Sequence, residues 1–474
     1  MSELDFQRGT VADLAERVRQ RELSAREVTA HAIARLEALD PQVNAFVAWD
    51  GERALAEAAA LDERSARGED VGPLAGVPIG VKDLEDAAGF RTTYGCKLNV
   101  ADPPAESDSP LVARLRRAGC VVLGKTNTPE FGHKGVTDNP AFGATANPWS
   151  LEHSAGGSSG GTGAAIAAGI VPLGTGSDGG GSIRIPAAVC GQTGIKCSQG
   201  RVPLGGPHPP GSGILSVKGP MARTIRDVVL ALGAVVGPVA TDVFSLDAPA
   251  LSWVDAVDLS AAPPVRVAWC PTLGYGEVDS EVLAVCQGAV DRLAELGTEV
   301  VDLGAVWTEP PLDPWLTMWL VQRAKVHAHL RGTPAWGELG ESLRAQVEAG
   351  AEIDGVTYAR AIDAAHLLNV QFERAVAEVG ASLVLCPTLA GFVPRLDAGT
   401  EGTIDGVTTS NWVQYTFPFN LTRNPAGTVC AGLSRAGLPV GLQVVGRQRD
   451  DLGVLGALVA LEDAIGFAAV PPLS

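Results

Sequence analysis

Positive charge is scarce in this chain: 36 Lys and Arg stand against 54 Asp and Glu, leaving a net charge of −18 and a pI near 4.8. Such an acidic protein offers no counter-charge to a phosphate backbone or an anionic bilayer, which argues against nucleic acid and membrane surfaces as partners. Long apolar runs are missing too. The most apolar stretch, AAIAAGIVPLG, is too short and too rich in Gly and Pro to span a bilayer. The opening MSELDFQRGT has none of the basic, apolar, cleavable character of a leader, so a cytoplasmic location is expected. Eight cysteines in 474 residues form no disulfide-dense pattern, and Cys190 and Cys197 lack the two-residue spacing of zinc or redox motifs. Reduced, mostly buried thiols are expected, and neither a metal site nor a cofactor is indicated. No internal repeat and no low-complexity tract is present.

With 46% apolar and only 19% charged residues, the chain can bury a large core. The first seventy residues read as helices. Ser24 and Glu27 are spaced as a capping box, and Val28, Ala32, Ile33, Leu36 and Leu39 fall on one face. From GVPIGVKD onward, short apolar strands alternate with helices, which predicts an α/β fold with helices on both faces of a sheet. Residues 234–264, broken by Pro, Asp and Gly, read as a linker. Residues 391–411 read as a long loop placed to cover a site.

Three short motifs invite misreading. GCVVLGKT at 119–126 fits the phosphate-loop pattern, yet Cys120 to Leu123 are a strand rather than an exposed loop, and Gly119 ends a helix capped by Ser109 and Pro110. GTGSDG at 174–179 fits the dinucleotide fingerprint, but no acidic residue lies between Asp178 and Asp227 to hold a ribose. GGSSG at 156–160 fits a nucleophile elbow around Ser158, but the polar NPWSLEHSA precedes it where a strand is needed. The histidines sit mostly in helix-like stretches, and His327 and His329 are two apart, so on a helix they do not share a face.

Two serine-bearing glycine loops with no histidine placed to serve them require another base. Lys82 ends the strand-like GVPIGVKD, where a charged residue enters the C-terminal edge of a sheet. In this order, GVPIGVKD, GKTNTPEF, GGSSGGTGAAIAAG and GSDGGGSIRIPAAVCGQTGIK resemble the amidase signature family. The match is dense from about residue 74 to 226 and returns weakly at NLTRNPAGTVCAG and GLPVGLQVVG. The resemblance implies one α/β domain over 71–474, built on a mixed sheet with helices on both faces, with the helical segment 1–70 packed on it. It also implies Ser182 as nucleophile, Ser158 as bridging serine and Lys82 as base, with Gly179, Gly180, Gly181 and Ser182 supplying oxyanion-hole amides. Glycines suit that role because several N–H groups must converge on one developing oxyanion, which side chains would obstruct.

A lysine acts as a base only when neutral, so the site must depress its pKa by burial. The family often carries a side chain where Gly179 stands, which predicts a looser loop here. Asp178 and Arg184 are expected to brace the loop rather than touch substrate. The family implies small amides as substrates, with esters and carbamates as further classes, and a homodimer is the expected assembly. A glutaminase component of a tRNA-dependent amidotransferase is the alternative. Val413, standing where that component would use an aspartate to hold the glutamine amine, favours a free-standing amidase. Phe142, Trp315, Trp319, Phe392, Trp412 and Tyr415 are the candidates for an apolar, aryl-accepting pocket, although each serves equally well as core. Loops 131–145, 203–216 and 391–411 are expected to shape that pocket.

Overall fold

A computed structural model of the chain describes residues 4–206, 213–248, 252–260 and 263–473. Residues 207–212 of the expected pocket loop, and 249–251 and 261–262 of the expected linker, lie outside the described residues.

An eleven-stranded mixed sheet forms the centre of the molecule. We number its strands β1 (Phe46–Trp49), β2 (Pro78–Lys82), β3 (Val121–Thr126), β4 (Leu173–Asp178), β5 (Thr193–Lys196), β6 (Val217–Ala222), β7 (Arg266–Trp269), β8 (Glu299–Asp302), β9 (Leu383–Pro387), β10 (Ala426–Leu433) and β11 (Pro439–Gly446). Their spatial order is β1-β3-β2-β4-β6-β5-β10-β11-β9-β7-β8. The central strands β2, β3, β4, β5, β9 and β11 are buried along their whole length, as strands covered on both faces must be. The N-terminal segment is not purely helical, because β1 pairs with β3 and closes one edge of the sheet.

The pairing of β2 with β4 positions the site. The two strands are parallel, with Gly80 opposite Gly174, so Lys82 at the end of β2 and the glycine run after Asp178 at the end of β4 emerge at the same sheet edge. The segment after GGSS forms the helix Gly160–Ala167, all eight residues of which are buried. Its small side chains let backbone approach backbone: a Cβ on Gly161 would collide with the backbone of Asn127 and Ala45. The apolar AAIAAG stretch is thus core, and among the described residues no helix is long and apolar enough to cross a membrane.

Val121–Thr126 is a strand and Gly119 (φ 102°) ends the helix Pro110–Arg117, so GCVVLGKT is no phosphate loop. A strand does precede GGSSG, contrary to expectation. It is Ser150–Ser154, which pairs with Ala146–Asn147 in a separate two-stranded ribbon rather than in the central sheet. The expected linker also contains a helix, Trp253–Ser260, whose Trp253 and Val257 are buried in the main core. All eight cysteines are buried and unpaired.

Candidate active site

The Lys82 side chain is completely buried. Its Nζ lies within hydrogen-bond distance of three hydroxyls, Ser158 Oγ at 2.8 Å, Ser159 Oγ at 2.8 Å and Ser177 Oγ at 3.0 Å, so a neutral amine there can donate to two of them and accept from the third. Among the described residues no carboxylate lies within ion-pair distance of it. Burial drives its pKa down from an ordinary 10.5 to about 7, against the opposing pull of the more distant Asp178 and Glu85. Ser158 follows a cis peptide bond from Gly157. The backbone joins this group to Ser182, because the Ser159 N–H donates to the Ser182 carbonyl at 3.2 Å. The structure therefore brings Lys82, Ser158 and Ser182 into one locus. It adds Ser159 and Ser177, which sequence reasoning missed although one adjoins Ser158 and the other precedes Asp178.

Every peptide unit of the glycine loop has its carbonyl held. Asn420 Nδ2 donates to the Asp178 carbonyl at 2.8 Å, Trp315 Nε1 to that of Gly179 at 3.0 Å, and Thr416 Oγ1 to that of Gly180 at 2.7 Å. The Ile185 N–H donates to the Gly181 carbonyl at 2.6 Å. On the donor side only Gly181 is occupied: its N–H donates to Asp178 Oδ1 at 2.8 Å. The N–H groups of Gly179, Gly180 and Ser182 have no partner among the described residues. Of the four amides expected to form an oxyanion hole, that of Gly181 is therefore already spent on a carboxylate. Gly181 is glycine for a different reason. Its φ of 128° lies in the left-handed region, and a Cβ there would collide with Thr416 and sit 2.8 Å from Ile185 Cδ1.

The loop is anchored by a buried ion pair. Arg184 meets Asp178 through two hydrogen bonds, Nε to Oδ2 at 3.0 Å and Nη2 to Oδ1 at 2.9 Å, with both side chains fully buried. Burial pushes the Asp178 carboxyl up, but Arg184 and Asn420 outweigh it and hold the pKa near 2. Arg184 also donates to Gln443 Oε1 at 2.7 Å, Asn420 Oδ1 at 2.7 Å and the Thr416 carbonyl at 2.9 Å. As expected, the pair braces the loop. The expected looseness at Gly179 does not materialise: Trp319 Cζ3 stands 2.9 Å, and at Gly180 Trp315 Cζ2 stands 2.6 Å, from where a Cβ would be. Aromatic rings fill the space that side chains on the loop would claim.

Of the six aromatic candidates, two reach the loop. Trp315 and Trp319, four residues apart on the helix Leu312–His327, stack with centroids 5.2 Å apart at 17°, and Phe417 lies 5.2 Å from Trp315. Arg323 sits 4.5 Å from the Trp319 ring, and Trp319 Nε1 donates to Gln346 Oε1 at 3.1 Å. The other four are elsewhere. Phe142 is tied by its backbone to Asn139 and Asn44, in the turn between the short paired strands Asp138–Asn139 and Gly143–Ala144, near the end of the helix Ala25–Val43. Phe392 bridges to Thr403 and lines a separate apolar recess with Val189, Val282 and Leu438. Trp412 is core, its Nε1 donating to the Thr400 carbonyl. Tyr415 is core, its hydroxyl donating to the Glu277 carbonyl and its ring meeting Tyr275. Loop 391–411 accordingly packs on the start of the helix Ser280–Glu295 through Asp405 and Ser280, and not on the glycine loop. Val413 lies close to the site: Thr416 Oγ1 bonds both its carbonyl and that of Gly180, and its Cγ1 faces Gly135 beside Ile185.

The chain matches the sequence profile of the Amidase family over residues 27–455. It is 37% identical to an acylamidase of Rhodococcus erythropolis across 100% of this chain and 97% of that protein. It is 34% identical to a glutamyl-tRNA(Gln) amidotransferase component of Roseiflexus castenholzii, over 94% of each chain. Among solved structures, a bacterial aryl acylamidase described as an amidase signature enzyme superposes with a TM-score of 0.88 at 33% identity, over 97% of both chains.

Proposed function

The chain belongs to the amidase signature family and is a hydrolase of amides, and from that premise we propose that it is a free-standing serine amidase for small neutral aryl amides, anilides above all. The observation that carries this reading is the Lys82 amine, buried, bonded to three serine hydroxyls and without a carboxylate partner among the described residues. An amine in that setting is neutral in a large share of molecules near physiological pH and can take a proton.

In the proposed reaction Ser182 Oγ attacks the amide carbon while its proton passes through Ser158 to Lys82. The carbonyl π electrons move onto oxygen, where the N–H groups of Gly179, Gly180 and Ser182 would receive the charge. Collapse breaks the C–N bond, and the proton returns through Ser158 to the departing amine. Water then repeats the sequence on the acyl-enzyme and releases the acid. The same machinery addresses any polarised carbonyl, so aryl esters and small carbamates are further substrates, carbamates the slower because their carbonyl is less electrophilic.

The acyl or amine pocket is drawn from Trp315, Trp319, Ile185 and Val413. Burying a charged α-amine against Val413 without a partner would cost several kcal/mol, whereas an aryl ring gains from the same desolvation. This weighs against the glutaminase reading. The test is a substrate panel on the purified chain alone, read beside mass mapping of a fluorophosphonate adduct. We expect the adduct on Ser182 and nitroanilide turnover exceeding ammonia release from glutamine. An adduct mainly on Ser158, or glutamine hydrolysed as fast as the anilide, would overturn the reading.

A further inference from the structure

We propose that Trp315 is a positioning residue of the oxyanion hole: by donating its indole N–H to the Gly179 carbonyl it sets the peptide plane whose other end is the free Gly180 N–H. The inference rests on the reading of Ser182 as nucleophile and deepens it. A trans peptide unit is planar, with C=O and N–H pointing in opposite directions, so fixing one end fixes the aim of the other. Glycine on both sides of that plane removes the steric restraint that would otherwise orient it. The restraint comes from outside the loop, as a 3.0 Å hydrogen bond from a helix 136 residues further along the chain. Neighbouring planes are held in the same manner, by Asn420 at Asp178 and by Thr416 at Gly180.

Trp315 differs from those two holders in also being a wall. Its ring stacks on Trp319 and meets Phe417, and it lies against the very position where Gly180 has no side chain. Four aromatic or backbone contacts therefore fix the indole before any substrate arrives. Preorganised donors are effective in proportion to how little they must reorient as charge develops. Losing the indole N–H would leave the Gly179–Gly180 plane free to turn while leaving the apolar wall in place.

The experiment separates these two roles. Trp315→Phe and an enzyme carrying β-(3-benzothienyl)-alanine at position 315 both lack the N–H, and the second preserves the shape of the ring system. Each is assayed on a nitroanilide and titrated with 2,2,2-trifluoroacetophenone, which forms a tetrahedral serine adduct bearing an oxyanion, and with acetophenone, which has the same ring but does not. In the benzothienyl enzyme, which keeps the wall, we expect kcat to fall by roughly ten- to a hundredfold with KM unchanged, the scale of a misaligned catalytic contact, and the Phe variant should show the same fall in kcat beside a rise in KM from its thinner wall. For the benzothienyl enzyme the trifluoroketone should weaken by the same factor and acetophenone not at all. Equal weakening of both ketones, a rise in KM alone, or no change would overturn the inference and leave Trp315 a wall. If the Phe variant does not fold, the benzothienyl isostere decides. Fluorophosphonate labelling of the unmodified enzyme tells the two failures apart: no label on Ser182 sinks the nucleophile assignment and this inference with it, whereas label on Ser182 with unaltered variants sinks only the inference.

Discussion

Replacing Lys82 by Met keeps the length of the side chain and deletes the amine, and its consequences can be worked out from burial alone. With an ordinary pKa of 10.5 the amine would be neutral in roughly one molecule in three thousand at pH 7, while a value of about 7 makes it neutral in about half. The base therefore gains on the order of a thousandfold in available form. For the wild-type enzyme kcat/KM should climb about tenfold per pH unit below pH 7 and level off above it. The same depression appears in stability. Between about 7 and 10.5 the unfolded chain binds a proton at Lys82 that the folded chain does not, so folding becomes more favourable as pH rises through that window. The penalty is complete below pH 7 and gone above 10.5. Over pH 7 to 9 this amounts to about 2 kcal/mol. Lys82→Met lacks that dependence, and comparing the two proteins at both pH values cancels the loss of the three serine hydrogen bonds. Urea unfolding at pH 7 and 9 should show wild type gaining about 2 kcal/mol on the variant. A gap that stays constant, or a kcat/KM flat from pH 5.5 to 9, would refute the assignment of Lys82 as a neutral buried base.

Two further substitutions test the loop. Arg184→Met leaves the fully buried Asp178 without its partner and should destabilise the fold by about 3–5 kcal/mol, read from the shift in thermal or urea midpoint; a shift under about 1 kcal/mol would show that the pair does not brace the loop. Gly181→Ala puts a Cβ at φ 128° against Thr416 and Ile185, and should lower kcat on the order of a hundredfold while leaving the core intact; retained activity would mean that the loop does not hold its geometry during turnover.

Residues bound to the backbone pattern were readable in advance. Lys82 stands at the C-terminal end of a strand, and strand ends are visible as apolar runs that stop, whereas Ser182, beyond the end of β4, was singled out only by the family resemblance. The bracing of the loop by Asp178 and Arg184 was readable from opposite charges flanking a bare backbone. The stretches NLTRNPAG and GLPVGLQVVG carried only a faint resemblance, yet their Asn420 and Gln443 are the residues that hold Arg184. Aromatic side chains were the least legible. Phe392, Trp412 and Tyr415 sit in segments that were expected to shape the site, but where a ring goes is decided by the tertiary contacts it makes, as the Tyr415 hydroxyl does with Glu277. Trp315 and Trp319 did carry a signal in their four-residue spacing, which on a helix makes two rings neighbours. The helix at Trp253–Ser260 was hidden because flanking Pro and Asp outweighed its buried Trp253 and Val257.

The brace also governs when the protein becomes an enzyme during its own synthesis. Asn420 lies 242 residues, and Gln443 259 residues, beyond the loop positions they hold. A ribosome that has finished β4 and the loop after it has already made Lys82, Ser158 and Ser182, but not the residues that fix the peptide planes beside Ser182. Contacts of such sequence separation close late, so on the proposed reading a nascent or prematurely terminated chain would carry the reactive side chains without an aligned hole for a carbonyl oxygen. In the proposed mechanism the serine is armed only once Trp315, Thr416 and Asn420 have been made and have closed on the loop.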